Sequence, residues 1–323
     1  MLLWGASLLG LAAGLRAYNF LTSSSLLRDP VYEWRLRRRG LEELDRCWRD
    51  KRRRSAIIVS LTTTPRRIGL IGLTLKSLLS QTRSPASIRL MVPDHSRRED
   101  APYTIPEALT RLNGVEIVRG PDYGPATKLI PTLLSCEADQ PILAVDDDRV
   151  YHPRLVERLD ELARAHPDVA IGASGWLVPD DLLDRPTTLW TQLRRRPPVP
   201  FTCAQIRRPH EVDVLQGFSG YLVRPRFFDL AGLADYSSAP KAAVLADDVW
   251  ISAHCRVRKF VFPMGPSNFQ SRVDGRFFRA TSLGLVNRGD GTLESRSNTI
   301  VMRHLVNAWR FGGRRASRPG SGG

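Results

Sequence analysis

Cysteine is scarce in this 323-residue chain, which contains four cysteines and six histidines. The cysteines are scattered as Cys47, Cys136, Cys203 and Cys255, with no Cys-x-x-Cys pair and no clustered histidines beside them. Zinc sites need such clustered ligands, so this arrangement argues against a zinc site. Four cysteines in a chain of this length fit either free buried thiols or a disulfide, which leaves the compartment open.

Acidic residues are also few relative to basic ones, with 33 Asp and Glu against 48 Lys and Arg, and the formal net charge is +15. Such a charge indicates an anionic partner. The sequence lacks zinc-finger, helix-turn-helix and aromatic-rich sheet motifs, so we expect no nucleic acid partner. The hydrophobic content of 42% excludes a chain that is disordered throughout.

The N-terminal segment lacks charge, because Met1 to Leu15 contains no Lys, Arg, Asp or Glu and is mostly apolar. No basic residue precedes this segment, whereas a secretory signal would begin with one. As a helix it would span about 22 Å, and continuation to Leu21 nearly spans the roughly 30 Å hydrocarbon core of a bilayer. We therefore predict a membrane anchor or signal-anchor at 1–21 and a membrane-associated protein. The Golgi or ER lumen and the cytoplasmic face both remain open as its side of the membrane.

Composition divides the rest of the chain into three parts. Residues 22–54 are rich in basic side chains and end in Lys51-Arg-Arg-Arg54, which indicates a solvated basic stem. Regular patterning begins at Ser55 and predicts one domain over 55–311. The Gly-, Arg- and Ser-rich residues 312–323 predict a disordered tail. We accordingly expect a chain that begins at Ser55 to fold and to remain active.

Short apolar runs alternate with helical patterns through the predicted domain. The apolar runs that predict strands are Ser55 to Leu61, Ser87 to Val92, Val115 to Val118 and Pro141 to Val145. Helical spacing lies between them, first over Ile68 to Leu79. This alternation is typical of an α/β fold, with a mostly parallel sheet and helices on its faces. The segment 176–210 loses the pattern and is predicted to be a long loop.

Three consecutive acidic residues, Asp146-Asp-Asp148, follow one of these apolar runs directly. Ligands of open α/β sheets bind beyond the carboxyl ends of the strands, where these side chains would lie. Two convergent carboxylates suit a hard divalent cation that also contacts substrate phosphates. A solvated turn before a helix that starts near Pro153 would explain the same residues without a ligand.

Four more motifs lie at strand or helix ends, and each has a simpler structural explanation. Thr62-Thr-Thr-Pro-Arg-Arg67 could hold a phosphate or merely cap a helix, and Lys128 could neutralise a diphosphate or be a surface lysine. Gln216-Gly-Phe-Ser-Gly-Tyr221 lets the backbone approach a ligand closely, as any tight turn also does. The acids of Ala246-Asp-Asp-Val-Trp-Ile251 could be chemical groups or helix-cap and dipole partners.

Taken in order along the chain, these motifs resemble those of nucleotide-diphospho-sugar transferases of the GT-A fold, in particular the family 2-like enzymes. The resemblance covers roughly 55–309 and rests on the ordered set of motifs, of which the Asp-x-Asp alone is degenerate. It implies a Rossmann-like GT-A fold, here preceded by the N-terminal hydrophobic helix. It also implies that 55–311 is a glycosyltransferase catalytic domain.

The resemblance further implies roles for individual residues. The metal, Mn²⁺ or Mg²⁺, would be held by Asp146, Asp148 and a C-terminal histidine, for which His304 is the candidate. The donor, a nucleotide-diphospho-sugar, would contact Thr62, Thr64, Arg66, Arg67, Lys128, Asp147, Gly217, Ser219 and Gly220. The catalytic pair would be Asp247 and Asp248, with Asp248 as the base of an inverting transfer to a hydroxyl of a glycan or lipid-linked acceptor.

Two other functions remain open from the sequence. In a haloacid-dehalogenase-like phosphatase, Asp146 would be the phosphorylated nucleophile of Asp146-Asp-Asp148-Arg-Val150, although that motif usually follows the first strand and here follows three strand-and-helix units. Such an enzyme needs only a phosphomonoester and water. A non-catalytic, membrane-bound basic scaffold would bind anionic polymers through its charge, lose that binding at high salt, and tolerate loss of any single acid.

Overall fold

The computed structural model describes residues 13–186, 188, 198–280, 287 and 289–311. An eight-stranded sheet forms its centre, with the strand order β11-β14-β8-β13-β6-β1-β2-β5. Three smaller sheets of two or three strands surround it. The strands are β1 (Ile58–Thr62), β2 (Ser87–Pro93), β3 (His95–Ser96), β4 (Ala101–Pro102), β5 (Val115–Gly120), β6 (Ile142–Ala144), β7 (Arg149–Tyr151), β8 (Ala170–Gly172), β9 (Ser174–Trp176), β10 (Phe201–Thr202), β11 (His210–Val212), β12 (Val214–Leu215), β13 (Tyr221–Val223), β14 (Lys259–Val261) and β15 (Asn268–Gln270).

Helices flank the central sheet. They are α1 (13–22), α2 (Arg28–Arg38), α3 (Leu41–Asp50), α4 (Gly72–Leu79), α5 (Glu107–Thr110), α6 (Ile130–Ser135), α7 (Leu155–Ala165), α8 (Leu230–Ala234), α9 (Asp247–His254), α10 (Gly275–Ala280) and α11 (Ser297–His304). Short 3₁₀ turns at Gly124–Lys128 and Gly217–Ser219 complete the elements that build the site.

The sheet is mostly parallel, as the alternating pattern predicts. β1 pairs in parallel with both β2 and β6, β2 with β5, and β14 with β8, whereas β13 runs antiparallel between β6 and β8. β6 is fully buried, which explains why it is a continuous apolar run rather than an alternating one. Because β1 and β6 run in the same direction, the loops after Thr62 and Ala144 meet at one edge of the sheet.

The N-terminal region differs most from the sequence-based picture. Residues 1–12 of the predicted anchor lie outside the described residues, as do 312–323 of the predicted tail and most of 187–197 in the predicted loop. In the part of the chain that the structure describes, no helix has the length and apolar character needed to cross a bilayer.

All four cysteines are free thiols.

Residues 28–50, predicted to be part of a solvated stem, pack into the domain instead. Leu36, Leu44 and Trp48 are buried members of the main hydrophobic core. The Asp45 carboxylate accepts hydrogen bonds from the backbone N–H groups of Asn113 (3.0 Å) and Gly114 (2.7 Å), just before β5. The predicted boundary at residue 54 therefore does not mark an edge of the packed domain.

A half-buried histidine joins α2 to the two-stranded sheet of β7 and β15. The ring of His152, directly after β7, stacks on Tyr32 of α2 with the planes 7° apart and meets Phe269 edge-on. Its Nε2 lies 3.5 Å from a carboxylate oxygen of Asp29, and neither atom forms a hydrogen bond. Burial, together with repulsion from Arg158, lowers the pKa of His152 from 6.5 to about 4, and burial raises the pKa of Asp29.

The lowered pKa of His152 predicts that the folded chain loses stability in mild acid. Because the pKa of His152 is lower in the folded chain, the unfolded chain takes up the proton first as the pH falls below 6.5. The free energy of unfolding should therefore drop by about 2–3 kcal/mol between pH 6.5 and pH 4 on this account. Denaturant unfolding at a series of pH values measures it. The free energy of unfolding should fall by this amount more in wild type than in His152→Phe over that pH range. If the two proteins lose stability equally as the pH falls, the prediction is wrong.

Candidate active site

Four polar segments meet at the edge of the sheet where β1 and β6 end. They are the loop after β1, the turn that carries Lys128, the acidic triplet after β6 and the start of α9, and the glycine turn 217–220 closes the site beside them. Contacts between side chains link these segments, although they are separated by up to about 180 residues of sequence.

Lys128 lies at the centre of the site and is buried. Its ammonium Nζ lies 2.7 Å from Asp146 Oδ1, 2.8 Å from Asp247 Oδ2 and 3.6 Å from Asp248 Oδ1. Burial by itself would lower the pKa of Lys128, but the three carboxylates outweigh it and hold the pKa well above its ordinary value. The lysine is therefore a fixed positive charge at neutral pH.

Asp247 and Asp248 begin α9 and differ in their surroundings. Asp247 is buried and faces the lysine, whereas the side chain of Asp248 is 28% exposed. Both carboxylate oxygens of Asp248 accept from the backbone N–H of Gly217, at 3.0 and 3.1 Å. Burial raises the pKa of Asp248 to about 7, even though Lys128 opposes the shift. A carboxylate with a pKa near neutrality is well suited to accept a proton at physiological pH.

Glycine is required at position 217 by close packing. A Cβ atom on Gly217 would lie 2.2 Å from Lys128 Nζ and 3.1 Å from Asp146 Oδ1. Gly220 has a positive φ of 88°, which a residue with a side chain rarely adopts. The two glycines therefore allow the turn to close tightly over the lysine.

Asp147, the middle residue of the acidic triplet, points into the protein. Its carboxylate accepts from Thr63 Oγ1 at 2.7 Å and from an Arg67 guanidinium N–H at 3.0 Å. Burial raises the pKa of Asp147 to about 6, against the lowering influence of Arg67. Thr74 Oγ1 also donates to the carbonyl of Asp147 at 2.8 Å. Asp147 and Arg67, both predicted to contact a donor, thus hold each other and fix the triplet.

Asp148 has a carboxylate oxygen without a hydrogen bond. Oδ1 is buried and lies 3.4 Å from Arg149 Nε, at ion-pair distance, but neither atom forms a hydrogen bond. Burial raises the pKa of Asp148, and the negative charge of Asp146 adds to the shift. The guanidinium of Arg149 lies 4.9 Å from the ring centroid of Phe218. Asp148 therefore has an unused acceptor in a site that is rich in negative charge.

The charges of the site fit a divalent cation. Five carboxylates, those of the acidic triplet and of the pair that opens α9, stand against three cationic side chains, Lys128, Arg67 and Arg149. With every carboxylate ionised, these groups carry a formal surplus of two negative charges, which the raised pKa values of Asp147, Asp148 and Asp248 reduce when no cation is bound. Within the described residues no group of three or more His, Cys, Asp or Glu side chains is arranged to hold a metal ion. Asp146 and the Asp148 oxygen that forms no hydrogen bond offer two oxygen ligands, which is sufficient where substrate phosphates and water supply the others.

The other predicted site residues lie apart from this cluster or at its margin. Thr62 Oγ1 donates to the Met91 carbonyl, and the buried hydroxyl of Thr64 has no hydrogen-bond partner. Arg66 is exposed, and its backbone N–H donates to Glu99. His304 is exposed at the end of α11, where it influences the pKa of His254 at the far end of α9. The structure does not bring His304 together with the acidic triplet.

Two tyrosines belong to the site although neither is among the residues predicted to bind metal or donor or to catalyse the reaction. The Tyr151 hydroxyl accepts from the backbone N–H of Asp146 at 2.9 Å and lies 3.3 Å from the Phe218 carbonyl. It thus joins the acidic triplet to the glycine turn. The buried hydroxyl of Tyr221 has no hydrogen-bond partner and senses the charges of Lys128 and Asp248. The sequence signals for them are that Tyr151 follows the acidic triplet by three residues and that Tyr221 ends the glycine motif.

A cavity of about 810 Å³ adjoins the site. Its walls come from 18–25, from 199–206 and from 267–270, and none of the site carboxylates lines it. Arg149, Phe218 and Ser219 belong both to this wall and to the margin of the site. The cavity is therefore a neighbour of the acidic cluster, on the side of Asp148 and the glycine turn.

Comparisons with known proteins give little detail. No protein-family model and no curated protein matches the sequence. Among solved structures, the chain is similar to one titled "Crystal structure of GalNAc-T7 with UDP, GalNAc and Mn2+", at 13% sequence identity and a TM-score of 0.41. The similarity covers 67% of this chain and 43% of that one, so the chain spans less than half the length of the protein that it resembles.

Proposed function

We propose that this protein is a metal-dependent glycosyltransferase, which moves a sugar from a nucleotide-diphosphate donor to a hydroxyl group and inverts the anomeric carbon. The observation that carries the proposal is the gathering of Asp146, Asp247 and Asp248 around the Lys128 ammonium, 2.7 to 3.6 Å away. If these residues were only a helix cap, a surface lysine and a solvated turn, their side chains would not be expected to contact one another. The Rossmann-like GT-A fold expected from the motifs agrees with the mostly parallel sheet flanked by helices.

The residues of the chain divide the chemistry between them. The acceptor hydroxyl forms a bond from its oxygen to the anomeric carbon, while the bond from that carbon to the diphosphate oxygen breaks. The hydroxyl proton goes to Asp248, whose pKa of about 7 allows it to be a base at neutral pH. The nucleoside diphosphate leaves with the bonding electrons. Lys128 and Arg149 place positive charge beside that leaving group.

A divalent cation at Asp146 and Asp148 would add electrostatic stabilisation of the developing diphosphate charge. The glycine turn lets the backbone of Gly217 approach the lysine closely, so that a donor sugar could lie against the turn without a side chain in its way. The adjoining cavity provides space for the acceptor, on the far side of Phe218 and Ser219. This division of donor and acceptor places the reacting carbon near Asp248.

Asp148→Ala tests the metal assignment. Asp148 makes no hydrogen bond through Oδ1 and its charge is unfavourable in its buried position, so removal should leave the melting temperature unchanged or slightly raised. Donor affinity in the presence of Mn²⁺ should fall about 100-fold, because the metal contributes several kcal/mol. Calorimetric titration of a sugar nucleotide with and without Mn²⁺ measures it. Asp50→Ala, an exposed acid on α3, is the control, and equal affinities in Asp148→Ala and wild type would remove the assignment.

A screen of sugar nucleotides against the full-length chain in detergent tests the reaction class. Transfer or metal-dependent hydrolysis of one donor supports the proposal. A haloacid-dehalogenase-like phosphatase would instead release phosphate from a phosphomonoester without any donor. In that reaction Asp146 must attack phosphorus, whereas its Oδ1 here accepts from Lys128 at 2.7 Å. A basic scaffold would turn over neither substrate and would lose its anionic ligand at high salt.

A further inference from the structure

Helix α2 has its acidic side chains inside and its tryptophan outside. Asp29 and Glu33 are buried, whereas Val31 and Trp34 are 48% and 52% exposed. An ordinary surface helix buries apolar side chains and exposes charges; α2 buries Leu36 in this way but departs from the pattern at these four residues. The exposed face therefore needs an explanation other than solvation.

The buried acids fix α2 to the rest of the fold. Glu33 accepts from Ser271 Oγ at 2.7 Å and from the backbone N–H of Arg272 at 3.1 Å, and the Arg37 guanidinium also donates to it. Asp29 accepts from the backbone N–H of Ser25 at 2.7 Å. Since both carboxylates of the helix are used inward, its outer face keeps only apolar and cationic groups.

The outer face has helical order. Leu27, Val31, Trp34 and Arg38 follow one another at spacings of three or four residues, which places them on one stripe. The Arg38 guanidinium lies 3.9 Å from the ring centroid of Trp34. Arg28 and Arg35 lie beside the stripe. Arg28, Arg35 and Arg38 form no ion pair within the residues that the structure describes, so no carboxylate in that part of the chain neutralises their charges.

Exposed apolar side chains are concentrated in this region. Of the eleven large hydrophobic side chains that are exposed in the described part of the chain, seven lie between Tyr18 and Trp34. Val273 is another, and its neighbour Arg272 donates to the carbonyl of Leu26 at 3.2 Å. Such a concentration, rimmed by cations, marks an interaction surface rather than scattered exposure.

The chemistry of this face selects among three occupants. A second copy of the chain, paired through the same face, would bring unpaired arginines against arginines. A nucleic acid would use the arginines but leave the stripe of Leu27, Val31 and Trp34 without a partner. An anionic lipid surface satisfies both, because tryptophan and aliphatic side chains enter the headgroup boundary while arginines meet lipid phosphates. Residues 1–12, directly before α1, are apolar and uncharged, which agrees with a lipid neighbour.

We propose that the docking face, defined as the exposed side of residues 18–38 around Leu27, Val31, Trp34 and Arg38, binds the surface of an anionic membrane. The helix lies in the interface and does not cross it. The proposal is independent of the proposed reaction, because none of Leu27, Val31, Trp34 and Arg38 belongs to the acidic cluster or lines the cavity. It also places the cavity walls formed by Tyr18, Phe20 and Leu21 next to the lipid surface.

Vesicle flotation of the full-length chain tests the docking face. The vesicles are phosphatidylcholine alone and equal mixtures of phosphatidylcholine and phosphatidylserine. Val31→Ser with Trp34→Ser should lower partitioning about tenfold on both, and Arg35→Gln with Arg38→Gln should lower it about thirtyfold on the anionic mixture only. The matched controls are Leu70→Ser with Leu134→Ser, two exposed apolar side chains elsewhere, and Arg303→Gln on α11. The controls should bind like wild type.

Residues 1–12 could hold the chain on vesicles whatever α2 does, so a second measurement addresses Trp34 itself. Brominated lipids quench tryptophans that enter the interface. Trp34→Phe keeps an aromatic ring and should bind vesicles normally, but the quenched fraction of the fluorescence should fall relative to wild type. Equal quenching in both proteins would overturn the proposal. Loss of vesicle binding in the arginine variant but not in the serine variant would also overturn it, because that result indicates a site for an anionic polymer. A changed oligomeric state in the serine variant would overturn it as well, because that result indicates self-association.

Discussion

Asp248→Asn is expected to lower the transfer rate about 10²- to 10⁴-fold, the usual cost of removing a general base. Asparagine keeps the shape of the side chain and its oxygen can still accept from the Gly217 N–H, but it cannot take the acceptor proton. Donor affinity should survive, since Asp148 and Lys128 are untouched. Steady-state rates with a saturating donor, together with calorimetric donor binding, measure both quantities.

Asp247→Asn is the matched comparison, because it changes the neighbouring acid on the same helix. Asp247 faces Lys128 at 2.8 Å, so its loss should disturb the lysine and donor binding as well as the rate. Only Asp248 should show a large loss of rate with unchanged donor affinity. Near-normal transfer by Asp248→Asn, or a product that keeps the anomeric configuration of the donor, would contradict its role as base.

The pH dependence of the rate gives the same hypothesis a second measurement. A base must be ionised to accept a proton, and burial raises the pKa of Asp248 to about 7. The value of kcat/KM should therefore rise with pH, with its inflection near pH 7, and level off above it. In Asp248→Asn this inflection should be absent. An inflection near pH 4 in wild type would indicate an ordinary, solvated carboxylate.

The sheet and the meeting of the motifs were predictable from the sequence for a physical reason. A buried parallel strand must be an apolar run, and parallel strands deliver their following loops to one edge, so the loops after Thr62 and Ala144 were expected at the same edge of the sheet. The partners within the site were not predictable, because Lys128 reaches Asp247 across 119 residues of sequence. Nor does spacing reveal that Asp147 turns inward to Arg67 while one oxygen of Asp148 forms no hydrogen bond.

The N-terminal helices escaped prediction because their charges are used in an unusual way. Charged residues ordinarily indicate a solvated segment, and 28–50 is dense in them. Glu33 and Asp45 are nevertheless buried, and the groups that satisfy them lie far along the chain, at Ser271 and Gly114. The local sequence pattern does not reveal partners so far along the chain, and it therefore predicts a solvated stem where the structure has two packed helices.

Removal of residues 1–54 is expected to prevent folding rather than to release a soluble, active domain. The deletion strips Leu36, Leu44 and Trp48 from the core, and each such loss costs about 2–5 kcal/mol. It also leaves the backbone N–H groups of Asn113 and Gly114 without the Asp45 carboxylate. The sum is comparable to the about 5–15 kcal/mol that stabilises a whole domain. Circular dichroism and thermal unfolding of the shortened chain measure the outcome.

Trp48→Ala in the full-length chain makes the same point without a deletion. Trp48 packs against Gly114 and donates from Nε1 to the Pro85 carbonyl at 3.1 Å, so its loss opens a cavity between α3 and the sheet. The free energy of unfolding should fall by about 3–5 kcal/mol. Trp34→Ala is the matched control, because that tryptophan is 52% exposed on α2 and its replacement should cost less than about 1 kcal/mol.

If the two variants unfold alike, or if the chain that begins at Ser55 melts like the full-length protein, then 22–54 is a stem after all. A large difference between the two tryptophans would instead show that the N-terminal helices pack into the folding unit by one face and leave the other face exposed.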